Sequence, residues 1–155
     1  KNVLEHGKYI NGPEIENLEG ELSSYIGSTG CVSTSSGTDA LMLALMALEI
    51  KPGDEVITTP FSFISTAETI IMAGAIPVFV DINPTSYNLD PTLIEKAINE
   101  KTKAIIAVSL YGQMADFESI NKIAKRNNLL FEDNKIQNFY SKFRSIIFKD
   151  ITDLN

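Results

Sequence analysis

One cysteine and one histidine, Cys31 and His6, are all that this chain of 155 residues offers of the soft and imidazole ligands. A lone cysteine forms no internal disulfide, and the pair makes no cluster at metal-ligand spacing, so a disulfide scaffold and a zinc site are excluded and a reduced, cytoplasmic setting is expected. Positive charge is also short: 13 Lys and Arg stand against 20 Asp and Glu, for a net charge of −7. That balance is opposite to the footprint of a protein that grips a nucleic-acid backbone, and nucleic acid is not an expected partner. Long apolar runs are missing. The longest, Ala40 to Leu48, is too short to span a bilayer, and the start Lys1-Asn2-Val3-Leu4-Glu5-His6 lacks the apolar stretch of a signal peptide, so no membrane partner is expected either. There is no internal repeat and no low-complexity tract.

What is present has ordinary globular proportions, 44% hydrophobic and 21% charged, enough for a real core. Short segments rich in β-branched and apolar residues at 30–34, 55–58, 76–80, 104–109 and 129–132 read as strands. Stretches of helical character lie at 14–25, 38–49, 65–73, 91–99 and 116–127. The alternation predicts an α/β fold. Val56-Ile57 and Ile105-Ile106-Ala107-Val108 are continuous rather than alternating apolar runs, as expected of strands covered on both faces, so a mostly parallel sheet flanked by helices is predicted. Pro13 and Pro91 stand at helix starts, and Lys51-Pro52-Gly53-Asp54 and Ala73-Gly74-Ala75 make turns into the next strands.

The run Ser35-Ser36-Gly37-Thr38-Asp39-Ala40-Leu41 follows a predicted strand and opens a helix that is apolar almost all round, which predicts a central, buried helix. Its first N–H groups have no partner within the helix and Gly37 permits close approach, so a phosphate would fit there without any nearby Lys or Arg. On the local pattern alone, Ser36 capping the helix and Gly37 making a turn is the more ordinary reading. Phe61-Ser62-Phe63 follows the second predicted strand, at the carboxyl end where ligands bind in open α/β sheets, although such rings are as often core. Glu132-Asp133 ends the fifth predicted strand and delivers a carboxylate to the same edge; an acidic helix cap is the other reading of Asp133. A phosphate turn after one strand and a carboxylate after another could hold opposite ends of a flat cofactor.

Several blocks, in order, resemble one family: Gly7-Lys8-Tyr9-Ile10-Asn11-Gly12-Pro13-Glu14, Ser36-Gly37-Thr38-Asp39-Ala40-Leu41, Pro52-Gly53-Asp54-Glu55-Val56-Ile57, Gly74-Ala75-Ile76-Pro77-Val78-Phe79-Val80-Asp81-Ile82 and Leu110-Tyr111-Gly112-Gln113. They are similar to the DegT/DnrJ/EryC1/StrS sugar aminotransferases, pyridoxal-phosphate enzymes of fold type I. The resemblance implies part of the large domain of such an enzyme, with residues 1–133 its N-terminal part and 134–155 a divergent tail. It implies that Gly37 and Thr38 hold the cofactor phosphate, Phe63 stacks on the pyridine ring and Asp133 pairs with the ring nitrogen. After Asp133 the pattern departs: two small residues and then a Gln are expected, whereas the chain reads Asn134-Lys135-Ile136-Gln137, so Gln137 takes the ring-hydroxyl role only if one residue is inserted.

No catalytic lysine is assigned, because Lys135, Lys142 and Lys149 do not fall where the family has its Schiff-base lysine, which is expected beyond Asn155. The resemblance further implies amino transfer from an amino acid, glutamate by expectation, to a keto group on a nucleotide-linked sugar, and a homodimer. The run Thr58-Thr59-Pro60-Phe61-Ser62-Phe63 with Val108-Ser109-Leu110-Tyr111-Gly112-Gln113 looks most like enzymes that aminate the 3-keto position of a UDP-linked N-acetylglucosaminuronate for surface polysaccharide. The alternatives are a sugar dehydratase of the same family, with a His in place of the lysine, and a non-catalytic truncated remnant.

Overall fold

A computed structural model describes residues 2–129. A short helix α1 (Asn2–His6) and a longer α2 (Pro13–Ile26) lead, through an extended segment, into α3 (Gly37–Ala47). Then β1 (Glu55–Thr58), α4 (Ser65–Met72), β2 (Ile76–Phe79), α5 (Pro91–Ile94), β3 (Thr102–Ile105) and α6 (Phe117–Arg126) alternate. The strands form a three-stranded sheet of order β2-β1-β3, and both pairings are parallel. The predicted α/β fold with a parallel sheet is therefore what the chain adopts.

Successive residues of a strand point to opposite faces, and the two cores follow from that alternation. Val56 and Ala104 turn to one face, where they meet Leu45 of α3, Ile70 of α4 and Ala75. Ile57 and Ile105 turn to the other, where Leu89, Ile94, Ile120, Ile123 and Ala124 bring in α5 and α6. Val56, Ile57, Ile70, Ile94 and Ile120 are fully buried. Helices thus cover both faces, which explains why the strands read as continuous apolar runs.

Sequence and structure differ at several elements. Residues 30–34 are not a strand: no neighbouring strand among the described residues offers them a ladder, and the N–H of Ser33 is taken instead by the carboxylate of Glu19 at 2.7 Å. Of the predicted strand at 129–132, only Leu129 lies among the described residues, and it is outside any strand. The predicted helix at 91–99 is one α-turn followed by a 3₁₀ turn, Glu95–Ala97. Helix α3 is covered on one side only: Leu41 and Leu45 are buried, while Leu43 and Met46 face out, because α4 and the sheet contact a single stripe of it.

Candidate functional site

The carboxyl edge of the sheet carries the candidate residues. In a parallel sheet every strand ends on the same side, so the segments after β1, β2 and β3 are neighbours there. Helix α4 leaves that edge directly after Phe63 and returns to the opposite one, where Gly53 N–H donates to Gly74 O at 3.2 Å. Helix α3 ends at that same opposite edge, since residues 51–54 lead straight into β1. Both helices therefore run away from the carboxyl edge, and Gly37, Thr38 and Phe63 lie at their starts, on the face of the sheet lined by Val56 and Ala104.

Ser36 caps α3: it is extended at φ −155° and ψ 163°, and its Oγ accepts from Asp39 N–H at 3.1 Å. The carboxylate of Asp39 accepts in turn from the hydroxyls of Ser35 and Ser36. Those bonds, Ser35 first and then Ser36, hold the Asp39 carboxyl below the usual aspartate range. The capping reading of Ser36 is thus realised, and the N–H groups of Gly37 and Thr38 have no partner among the described residues. They point out of the positive end of an 11-residue helix. Gly37 has no conformational reason to be glycine, and a Cβ added to it would meet nothing within 4 Å. What glycine provides there is open approach to the backbone from outside, which suits an anion.

Phe63 is 75% exposed and offers its ring to solvent, although the backbone beside it is tied down by Thr66 N–H donating to Phe63 O at 3.3 Å. Phe61 is different. Its ring leans on Tyr87, with centroids 6.2 Å apart and planes tilted by 36°. An open helix start and an exposed aromatic ring on one edge would fit the phosphate and the ring of a flat cofactor. Asp133 and Gln137, the other two candidates, lie outside the described residues.

Two residues at this edge went unread in the sequence. Asn88 is 2% exposed and accepts from Leu110 N–H at 2.9 Å while its amide donates to Gln113 O at 3.1 Å and Met114 O at 3.0 Å. Tyr87, beside it, adopts φ +59°. The only signal was a polar turn composition, Asn83-Pro84-Thr85-Ser86, ahead of the apolar Leu89. Among the described residues no group of His, Cys, Asp and Glu could hold a metal ion, and no helix is long and apolar enough to cross a membrane.

A parallel α/β sheet with helices on both faces, an open helix start and an exposed aromatic ring on its carboxyl edge is the class of fold that holds its ligands at that edge. Residues 1–144 match the DegT/DnrJ/EryC1/StrS aminotransferase family, and the chain belongs to it. It is 50% identical over 144 residues to the UDP-2-acetamido-2-deoxy-3-oxo-D-glucuronate aminotransferase of Pseudomonas aeruginosa, a match covering 93% of this chain and 40% of that protein. To the 3-oxo-glucose-6-phosphate:glutamate aminotransferase of Bacillus subtilis it is 45% identical, over 82% of this chain and 29% of the relative. Among solved structures it is similar to NtdA from Bacillus subtilis with bound cofactor PMP, with a TM-score of 0.81 and 44% identity over 83% of this chain and 29% of that one. The chain thus spans well under half the length of these relatives.

Proposed function

We propose that the chain is the cofactor-binding part of a pyridoxal-phosphate enzyme that transfers an amino group, from glutamate, to a keto group on a nucleotide-linked sugar. The observation that carries this reading is the open start of α3, where the N–H groups of Gly37 and Thr38 have no partner among the described residues and nothing crowds the Gly37 backbone. In this reading those two residues grip the cofactor phosphate, Phe63 covers one face of the pyridine ring, Asp133 pairs with the ring nitrogen and Gln137 bonds the ring hydroxyl. A carboxylate beside that nitrogen favours its protonated form. When bound, the cofactor supplies an electron sink. The residues of this chain bind and orient it.

The names of the relatives support a 3-keto sugar as acceptor, and the Pseudomonas protein supports a UDP-linked glucuronate; the Bacillus relative supports glutamate as donor. A homodimer working in the cytoplasm completes the proposal, and the outward-facing Leu43, Met46, Ile71 and Met72 are the kind of apolar surface that an oligomer covers.

The test is a chimera in which residues 1–144 of this chain replace the matching part of the Pseudomonas aminotransferase. The expected result is retained amination of the UDP-linked 3-keto sugar with glutamate, lost on Asp133→Ala. A chimera that folds and binds pyridoxal phosphate but aminates no keto sugar contradicts the substrate assignment.

A further inference from the structure

Three loops meet at the carboxyl edge, and the one after β2 ties the other two. Residues 82–89 close on themselves: Ile82 bridges Leu89, Asn83 N–H donates to Asn88 O at 2.9 Å, and Tyr87 N–H donates to Asn83 O at 2.8 Å. The Oδ1 of Asn83 accepts from Thr85 N–H and Ser86 N–H. Consecutive residues of this closed loop then contact two different loops. Tyr87 leans on Phe61 of the loop after β1, and Asn88 bonds three backbone groups of residues 110–114, in the loop after β3.

The loop that Asn88 holds contains a left-handed residue other than glycine. Within its 3₁₀ turn, Leu110–Gly112, Tyr111 has φ +54° and ψ +20° and is followed by Gly112 at φ +76°. A left-handed tyrosine is strained. The strain is not offset by burying the ring, since Tyr111 is 82% exposed. Asn88 closes the turn at both ends, accepting the N–H that enters it and donating to the carbonyls that leave it, and Ser109 Oγ accepts Ala115 N–H at 3.2 Å as a second tie. Tyr111 is thus an exposed aromatic side chain on a strained backbone at the carboxyl edge of the sheet.

We propose that Asn88 is a positioning residue that fixes residues 109–114 so that Tyr111 presents its ring to the nucleotide-sugar substrate. The substrate class rests on the function proposed above; the latch itself rests on the hydrogen bonds.

The experiment uses the full 155-residue chain with pyridoxal phosphate and UDP-N-acetylglucosamine as probes, and reads binding together with amide hydrogen exchange. Asn88→Ala should speed exchange at Leu110 N–H at least tenfold relative to the amides of β1. It should weaken UDP-N-acetylglucosamine about tenfold, the loss of one ring-stacking contact, with pyridoxal phosphate affinity unchanged. Tyr111→Gly takes the left-handed conformation without strain, so it should lose the same nucleotide-sugar affinity while Leu110 stays protected. Asn88→Asp keeps the acceptor and loses the amide donors; a charged carboxylate faces two carbonyl oxygens, whereas a neutral carboxyl donates to one, so nucleotide-sugar affinity should recover as pH falls.

Unchanged exchange at Leu110 in both Asn88 variants overturns the latch. Faster exchange with unchanged nucleotide-sugar affinity, or a Tyr111→Gly chain that binds as wild type, overturns the role of the loop in binding. A wild-type chain that binds neither probe overturns the function proposed above and the ligand part of this proposal with it, while the exchange result still decides the latch.

Discussion

At the scale of single residues, what decides a role here is what the side chain has left over after its own structural duties. Ser36 is spent on capping α3, whereas Gly37 has no steric duty at all, and that contrast separates a residue with a structural task from one whose backbone stands open in the same tripeptide. Gly74 shows the opposite case. Its φ is +80°, and an added Cβ would stand 3.0 Å from Pro52 Cγ and 3.3 Å from Pro52 Cα, so glycine is required there by conformation and by space. Its carbonyl also accepts from Gly53, tying the turn before β1 to the turn before β2. Gly74→Ala should therefore cost about 1–3 kcal/mol, the range for a non-glycine residue forced into the left-handed region. Urea unfolding checks this, and a variant as stable as wild type would show that the turn relaxes at no cost. Both glycines are visible in the sequence; their different reasons are not, because φ and neighbouring atoms are tertiary facts.

Among the elements, those set by local pattern were legible and those set by distant neighbours were not. Strand β1 falls at the predicted residues 55–58, because its apolar run is bounded by a Pro-Gly turn on one side and a Thr-Pro step on the other. The segment 30–34 has the same apolar and β-branched character, yet a strand also needs a partner with free backbone groups, which the sequence pattern does not report. The periodicity of α3 likewise said that it is apolar, not which of its stripes this chain covers. The start of α3 makes a prediction on pH. Asp39 is held below its ordinary value, so its contribution is present above the unfolded-state value of about 3.9 and is lost as pH falls through the lower folded-state value. Glu19, lowered first by Ser33 N–H and then by the Ser33 hydroxyl, acts with the same sign on the segment ahead of the helix. Wild type should unfold at higher urea than Asp39→Asn at about pH 6, and the gap should narrow as pH falls below about 3.9. A gap that persists unchanged into acid would mean that the carboxylate charge is not what supports the helix start.

For the whole molecule, a sheet covered by helices on both faces puts the ends of three strands on one edge, and the candidate cofactor and substrate residues of the described chain all belong to that edge. Blocks of sequence in family order made the family and its parallel α/β fold legible. The loops that tie the edge together were not legible, since Asn88 acts across more than twenty residues of chain through a side chain that looks like an ordinary turn asparagine. The central claim is that the start of α3 is a phosphate grip, and it is tested most directly by comparing two ligands that differ only in that group. Equilibrium titration of the chain with pyridoxal phosphate and with pyridoxal should show the phosphate form binding more tightly by at least about tenfold, and Gly37→Val should erase that difference by crowding the approach to the backbone N–H groups. Equal affinities for the two ligands in the wild-type chain, or a preference that survives Gly37→Val undiminished, would contradict it.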